Sequence, residues 1–393
     1  MAVSPVWPIV AAGFVSMAVS GLIWHSFSLF LVALEREFGW SRATISGAYT
    51  LFTIVNALGA PAVGWLLPRV DSRAVLGIAS LLLAGGLLLA SRVESAAGFY
   101  LAFGLVAGAG VQACSTLALF TILANWLGPR AAPGMSLVDS GSGIGVFLGL
   151  PALHAVIEAA GWRAAYVGLG VLVLVTVLPM NAILMRYGPP GFAAAAAAAR
   201  RDGSAPAAKR PGMAWIGVAF FLGPVAFHGL MTQQVALFQD QGVEAAAAVW
   251  IASATGLCVF AFRFAAGFVV SRFGETAAMA AQCVAAALAV GCLLLLLGGA
   301  GSSVLYAYPV LLGAGFGPQA IVLALGTRRL VAPADFGVAY GVLRLVGGAG
   351  MAVGPSLAAG VFDVTGSYAA ALVLLVVMVG GQYLSYRTAL ARA

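Results

Sequence analysis

The sequence predicts an all-α membrane protein, with twelve transmembrane helices forming two six-helix bundles. Three observations predict it. Hydrophobic residues make up 62% of the 393 residues and charged residues only 8%, against about half and about a quarter in soluble domains. So few charges could not cover a water-facing surface, whereas a bilayer core demands an apolar exterior. The apolar residues fall in twelve continuous runs, each about twice the length of a barrel strand. The two halves of the chain also repeat a glycine pattern about 205 residues apart.

The runs are cut at charges and at Gly/Pro turns. The first, 8–34, stops before Glu35, Arg36 and Glu37. The second and third, 44–68 and 74–92, flank a link that holds Arg69 and Arg73. The fourth and fifth, 97–126 and 132–159, flank Gly128 and Arg130, and the sixth, 163–186, closes at Arg186. In the second half the runs are 214–239, 245–271, 276–298, 302–328, 335–361 and 366–386. The longest polar interruption, 189–213, is rich in Pro, Gly, Ala and basic residues and reads as a flexible cytoplasmic linker. It separates an N-terminal bundle, 1–188, from a C-terminal bundle, 214–393. The first run is too long for a signal-peptide core, so it is expected to remain as a helix.

The net charge of +7 reflects topology rather than nucleic-acid binding, because the basic residues sit between apolar runs. With both termini in the cytoplasm, only Arg36, Arg42, Arg92 and Arg163 of the nineteen Lys and Arg residues fall in outer loops. Arg263 and Arg344 fall inside helices, and the other thirteen lie on the cytoplasmic side, as the positive-inside rule requires. An inner-membrane protein is expected. Cys114, Cys258, Cys283 and Cys292 all lie in apolar runs without a CxxC, so they read as small buried hydrophobes. No metal or cofactor is expected.

The repeat is internal and parallel. Gly108 and Gly110 in the fourth run match Gly313 and Gly315 in the tenth. Gly143, Gly145 and Gly149 in the fifth match Gly348, Gly350 and Gly354 in the eleventh. The links GWLLPRVDSR (64–73) and GFVVSRFGET (267–276) each place an Arg five residues after a Gly. Parallel six-helix repeats are the architecture of the major facilitator superfamily, and the chain resembles that family. Gly64, Arg69 and Arg73 fit its loop signature between helices 2 and 3, with Pro68 where an aspartate is expected. Arg272 and Gly274 fit the second copy, with Ser271 at the acid position. The resemblance implies a conformational gate at these loops and two bundles related by a pseudo-two-fold axis.

Two further motifs narrow the resemblance. FGWSR (38–42) follows a Ser-Phe-x-x-Phe helix end, and NWLGPRAAPGM (125–135) leads into helix 5. Both are similar to the monocarboxylate porters and the oxalate/formate antiporters. The resemblance implies a carrier of small carboxylates that works by proton symport or anion exchange. It places substrate-binding basic residues in helices 8 and 11, where Arg263 and Arg344 stand. Val259 occupies the place of an acid that the animal porters carry in helix 8, which puts proton coupling through that position in doubt.

The residues support the same reading on their own. A charge in the hydrocarbon core costs several kcal/mol unless paired or hydrated, and so marks a site. Arg263 lies nine residues before Arg272, and Arg344 nine residues after Asp335. At 1.5 Å per residue that is roughly 13 Å, near the middle of a ~30 Å core. Asp139 has the same spacing to Gly143, Gly145 and Gly149 as Arg344 has to its own three glycines. A pair between Asp139 and Arg263 is expected. Two arginines and one aspartate suit a monocarboxylate, and protonated Asp139 would suit a dicarboxylate. The blander alternative is that these charges only brace the bundle.

His25, Gln112, Thr116, His228, Gln233 and Gln319 on helices 1, 4, 7 and 10 are candidate hydrogen-bond donors to a carboxylate. Each also fits an interhelical bond, worth about 1 kcal/mol or less. DSGSGIG (139–145) lacks the Lys of a phosphate loop and lies inside an apolar helix, so close helix packing is expected there. The absence of HExxH, GxSxG and paired cysteines argues against a membrane-embedded enzyme. The reading is a monomeric secondary transporter of small organic anions, working by alternating access with protons or a counter-anion. Efflux of a larger amphipathic metabolite or drug is the alternative.

Overall fold

The computed structural model describes residues 6–192, 212–333 and 335–392. Eleven helical stretches among these are long and apolar enough to cross a membrane. One of them, Ala131–Leu184, spans 54 residues and is broken at Gly161, whose φ of 83° lies in the left-handed region that glycine favours. It therefore makes two passes, and the described spans number twelve.

In order they are α1 (Val6–Phe38), α2 (Arg42–Leu66), α3 (Ser72–Ala90), α4 (Ala96–Leu127), α5 (131–160) and α6 (162–184). The second half continues with α7 (Met213–Asp240), α8 (Ala245–Phe273), α9 (Glu275–Leu297), α10 (Ser302–Leu330), α11 (Phe336–Thr365) and α12 (Tyr368–Ala391). The ends follow from short-range chemistry. Ser41, Asp71, Ser95 and Ser367 accept backbone N–H bonds at the starts of α2, α3, α4 and α12, supplying acceptors that a first helical turn lacks. Gly366 closes α11.

Three helices run further than the apolar runs predict. α1 continues through Glu35, Arg36 and Glu37, α11 to Thr365 and α12 to Ala391. Charges end an apolar run but do not end a helix, because nothing in an aqueous last turn opposes them. The expected linker falls largely outside the described residues.

The chain divides into two compact units, Met1–Gly203 with Phe336–Gly341, and Ser204–Asp335 with Val342–Ala393. In the first unit, small residues let α1 lie on α5. A Cβ on Gly141 would sit 2.3 Å from the Phe14 carbonyl oxygen, and one on Gly145 1.8 Å from that of Ala18. In the second unit α7 lies on α11 the same way. A Cβ on Gly350 would come 2.4 Å from the Phe221 carbonyl, and one on Gly354 2.5 Å from that of Val225. Gly110 presses α4 on Leu83 of α3, and Gly315 presses α10 on Ala286 of α9. The glycine repeat in the sequence is thus a repeat of backbone-to-backbone contacts.

Outward faces carry exposed Leu58, Leu82, Val175, Val284, Leu288 and Val377, as a surface solvated by lipid requires. Cys114 and Cys283 are buried and Cys258 and Cys292 half-buried, all as free thiols.

Candidate functional site

Two helices are interrupted near their middles. α4 passes through a π stretch (Tyr100–Ala107) and a 3-10 turn (Val111–Cys114), and breaks at Ser115, whose backbone is extended (φ −78°, ψ 146°). The break is satisfied locally. Ser115 Oγ accepts from Ala118 N at 3.2 Å, and Asn181 Nδ2 of α6 donates to the Ala113 carbonyl at 3.1 Å. α10 is interrupted at Gly317 and Pro318, between helices Tyr308–Phe316 and Gln319–Leu330. Ser115 and Pro318 are 203 residues apart, so the interruptions are repeat-equivalent. Discontinuous helices of this kind line binding sites in transporters, because irregular backbone is tolerated at membrane depth only inside protein or beside a hydrated cavity.

The second unit gathers four of the predicted residues around α7 and α10. α8 crosses the α10 interruption at Arg263: a Cβ on Gly317 would meet the Arg263 backbone nitrogen at 2.9 Å. Arg263 is half-buried. Arg344 is exposed although it lies inside α11, and its charge reaches His228 on α7. His228 Nδ1 lies 3.0 Å from the Pro224 carbonyl, which can only accept, so that nitrogen carries the proton. Gln319, first residue of the inner half of α10, packs its amide against Gly223 of α7. Gln382 of α12 packs against the same glycine, and the Nε2 atoms of both glutamines are buried without hydrogen-bond partners. Gln233 is half-buried. Its neighbour Gln234 is buried and accepts from the Tyr308 hydroxyl at 3.0 Å.

In the first unit, Asp139 on α5 is 2% exposed. Gln112 is equally buried and donates to the Asn56 carbonyl of α2, which is the interhelical alternative in its plain form. Thr116 is half-buried just past the α4 break, and His25 is exposed on α1.

The loop residues have distinct partners. Arg69 donates to the Trp65 carbonyl at 2.8 Å and lies over the Trp65 ring. Gly64 is buried, and a Cβ there would come 2.1 Å from the carbonyl of Gly337, in the stretch of α11 that clusters with the first unit. Arg73 pairs with Asp71 at 2.7 Å, and this bond holds the Asp71 carboxyl below its usual range. In the second unit Gly274 (φ 83°) turns the chain into α9, Arg272 lies over Phe273, and buried Glu275 pairs with Arg329. The acids that engage these loops are therefore Asp71 and Glu275, 204 residues apart. Sequence reading missed both because it looked for an acid at Pro68 and Ser271. The repeat shift, applied to every acid near the loops, would have found them.

The two family-like motifs prove to be structural joints. In FGWSR, Phe38 stacks on Trp40 and Ser41 caps α2, while the adjacent Glu37 binds Trp162 and Arg163. In NWLGPR, Asn125 and Trp126 each donate at 2.8 Å to the carbonyls of Tyr187 and Arg186, and Ser72 donates to that of Met185 at 2.6 Å. Three side chains thus receive the carbonyls that α6 leaves open at its end.

Comparison with known proteins agrees with this architecture. The sequence model of the Major Facilitator Superfamily matches residues 13–355. Monocarboxylate transporter 12 of the rat is 27% identical over 168 residues, which are 43% of this chain and 34% of that protein, so the likeness spans about a third of the relative's length. Among solved structures, the fucose:proton symporter of E. coli superposes with a TM-score of 0.75 at 14% identity, covering 98% of this chain and 99% of that one. A human organic anion transporter superposes with a TM-score of 0.67 at 19% identity, covering 98% and 100%. At these identities the two structures establish the fold.

Proposed function

The chain belongs to the Major Facilitator Superfamily, and we propose that it is a secondary transporter of small organic anions, mono- or dicarboxylates, working by alternating access. The observation that carries this reading is the pair of arginines placed within membrane-spanning α8 and α11 of the second unit. Arg263 stands at the α10 interruption and Arg344 within reach of His228. Guanidinium groups bind carboxylates through paired, charge-assisted hydrogen bonds. Such charges persist in a membrane protein where a cavity hydrates them or a substrate pairs with them. The likeness to monocarboxylate transporter 12 supports the same substrate class.

In this reading Arg263 and Arg344 hold the carboxylate. His228, Gln233 and Gln319 donate to it from the second unit, and His25, Gln112 and Thr116 belong to the first unit's share of the binding residues. Asp139 is the group whose protonation sets coupling or anion charge. Gly64, Arg69, Arg73, Arg272 and Gly274 form the gate loops. The protein works as a monomer in an inner membrane, with both termini cytoplasmic, and exchanges its substrate with protons or a counter-anion.

The test is a thermal-shift screen of small mono- and dicarboxylates in detergent, followed by uptake of labelled lactate, formate and oxalate into proteoliposomes. A carboxylate should stabilise the protein, and Arg344→Gln should weaken its binding about 10- to 100-fold, the worth of one or two charge-assisted bonds. Stabilisation by cationic drugs and by no carboxylate would overturn the proposal in favour of efflux.

A further inference from the structure

Helices α8, α9 and α10 of the second unit enclose a cleft of about 140 Å³. That is close to the ~150 Å³ of an apolar cavity that accepts benzene. Phe262 of α8, Ala281 and Gln282 of α9, and Ala314 and Pro318 of α10 are among its lining residues. Ala281 is exposed, and Phe268, Val284 and Leu288 are exposed on the same two outer helices. The cleft therefore opens toward the lipid-facing side.

The lining is apolar except for two acceptors. Gln282 is 2% exposed, and its Nε2 donates to the Met279 thioether at 3.1 Å. A thioether can only accept, so the nitrogen end of the amide is committed there and the oxygen is the end left over. That Oε1 is buried and has no hydrogen-bond partner. Pro318 supplies the second acceptor. It has no N–H, so it cannot give the Ala314 carbonyl, four residues earlier, the bond an unbroken helix would. A cleft with acceptors and no donor selects a ligand that brings a donor.

We propose that this cleft binds a small uncharged phenol that enters from the bilayer. Its ring fills the benzene-sized volume and its O–H donates to Gln282 Oε1. The position gives binding a consequence. Phe262 precedes Arg263, and Pro318 precedes Gln319, so the occupant wedges behind the α10 interruption and the helix that crosses it. A bound phenol restrains that interruption and slows transport without touching Arg263, Arg344 or the substrate. The proposal does not rest on the substrate being a carboxylate, because binding is read directly.

The test uses the full chain in nanodiscs and fluorine NMR of 4-fluorophenol and 4-fluorotoluene, with empty nanodiscs giving the partition background. The two probes match in shape, and only the first donates a hydrogen bond. Saturable binding of 4-fluorophenol is expected, at least tenfold tighter than 4-fluorotoluene. Gln282→Leu should erase that preference. Ala281→Phe, which fills the cleft from its exposed side, should remove saturable binding of both. If Gln282→Leu fails to fold, Gln282→Met serves the same purpose. Equal binding of the two probes would mean a hydrocarbon cleft suited to an acyl chain, and would overturn the proposal. Signals no greater than the partition background, or a preference that survives in the Gln282 variant, would do the same.

Discussion

Asp139 is the single residue whose chemistry carries the most consequence. It is a carboxylate buried at 2% exposure inside a membrane-spanning helix, where an unneutralised charge costs several kcal/mol. Its place in α5 matches that of Arg344 in α11. In the transport reading it is the group that titrates during the cycle. Asp139→Asn should flatten the pH dependence of carboxylate uptake and shift preference from mono- to dicarboxylates, measured as uptake rates of lactate and oxalate between pH 5 and pH 8. Unchanged rates and pH profile would make Asp139 a static member of the bundle. Gln112 shows the opposite case. Its amide is taken up by the Asn56 carbonyl, so a polar residue at the right depth serves packing. Spacing places both residues in the membrane, and only the partner separates their roles.

Helix pairs are set by where a side chain is missing. The contact of α1 with α5 depends on glycines whose Cβ would enter a neighbouring backbone, and α7 on α11 repeats it. Gly145→Ala would force these helices apart, since its Cβ would lie 1.8 Å from the Ala18 carbonyl. It should cost about 1–3 kcal/mol, the usual price of overpacking. Gly85→Ala on α3, where a Cβ meets nothing within 4 Å, should be neutral or stabilise by about 0.4–1 kcal/mol through the unfolded chain. Thermal unfolding of the two variants in detergent checks both signs. The loop after α2 gives a pH prediction. Asp71 is held below its usual range by Arg73, so its contribution is full above the ordinary aspartate value of about 3.9. It is lost as pH falls through the depressed folded value. Wild type should therefore exceed Asp71→Asn in thermal stability near neutrality, and the difference should vanish in strong acid. A difference independent of pH would mean that Asp71 acts only as the cap of α3.

For the molecule as a whole, the placement of basic residues predicts the orientation. In a cysteine-free background, a cysteine replacing Arg92 should react with an impermeant maleimide added to intact cells. One replacing Arg272 should react only after the membrane is opened, and the reverse pattern would invert the topology. The twelve spans were legible in the sequence because a bilayer tests each segment separately, by length and polarity, so composition and local runs suffice. The break at Gly161 was legible for the same local reason. The glycine repeat was legible as a pattern, and its meaning as backbone contact needed the partner helices. Three things required the tertiary structure: Asp71 and Glu275 as the loop acids, the clamp of Ser72, Asn125 and Trp126 on the end of α6, and the meeting of Gln319 with Gln382 beside Gly223. Each joins residues from helices far apart in sequence. Hydrogen bonds and ion pairs act over about 3 Å, and a linear pattern carries distance along the chain rather than through space.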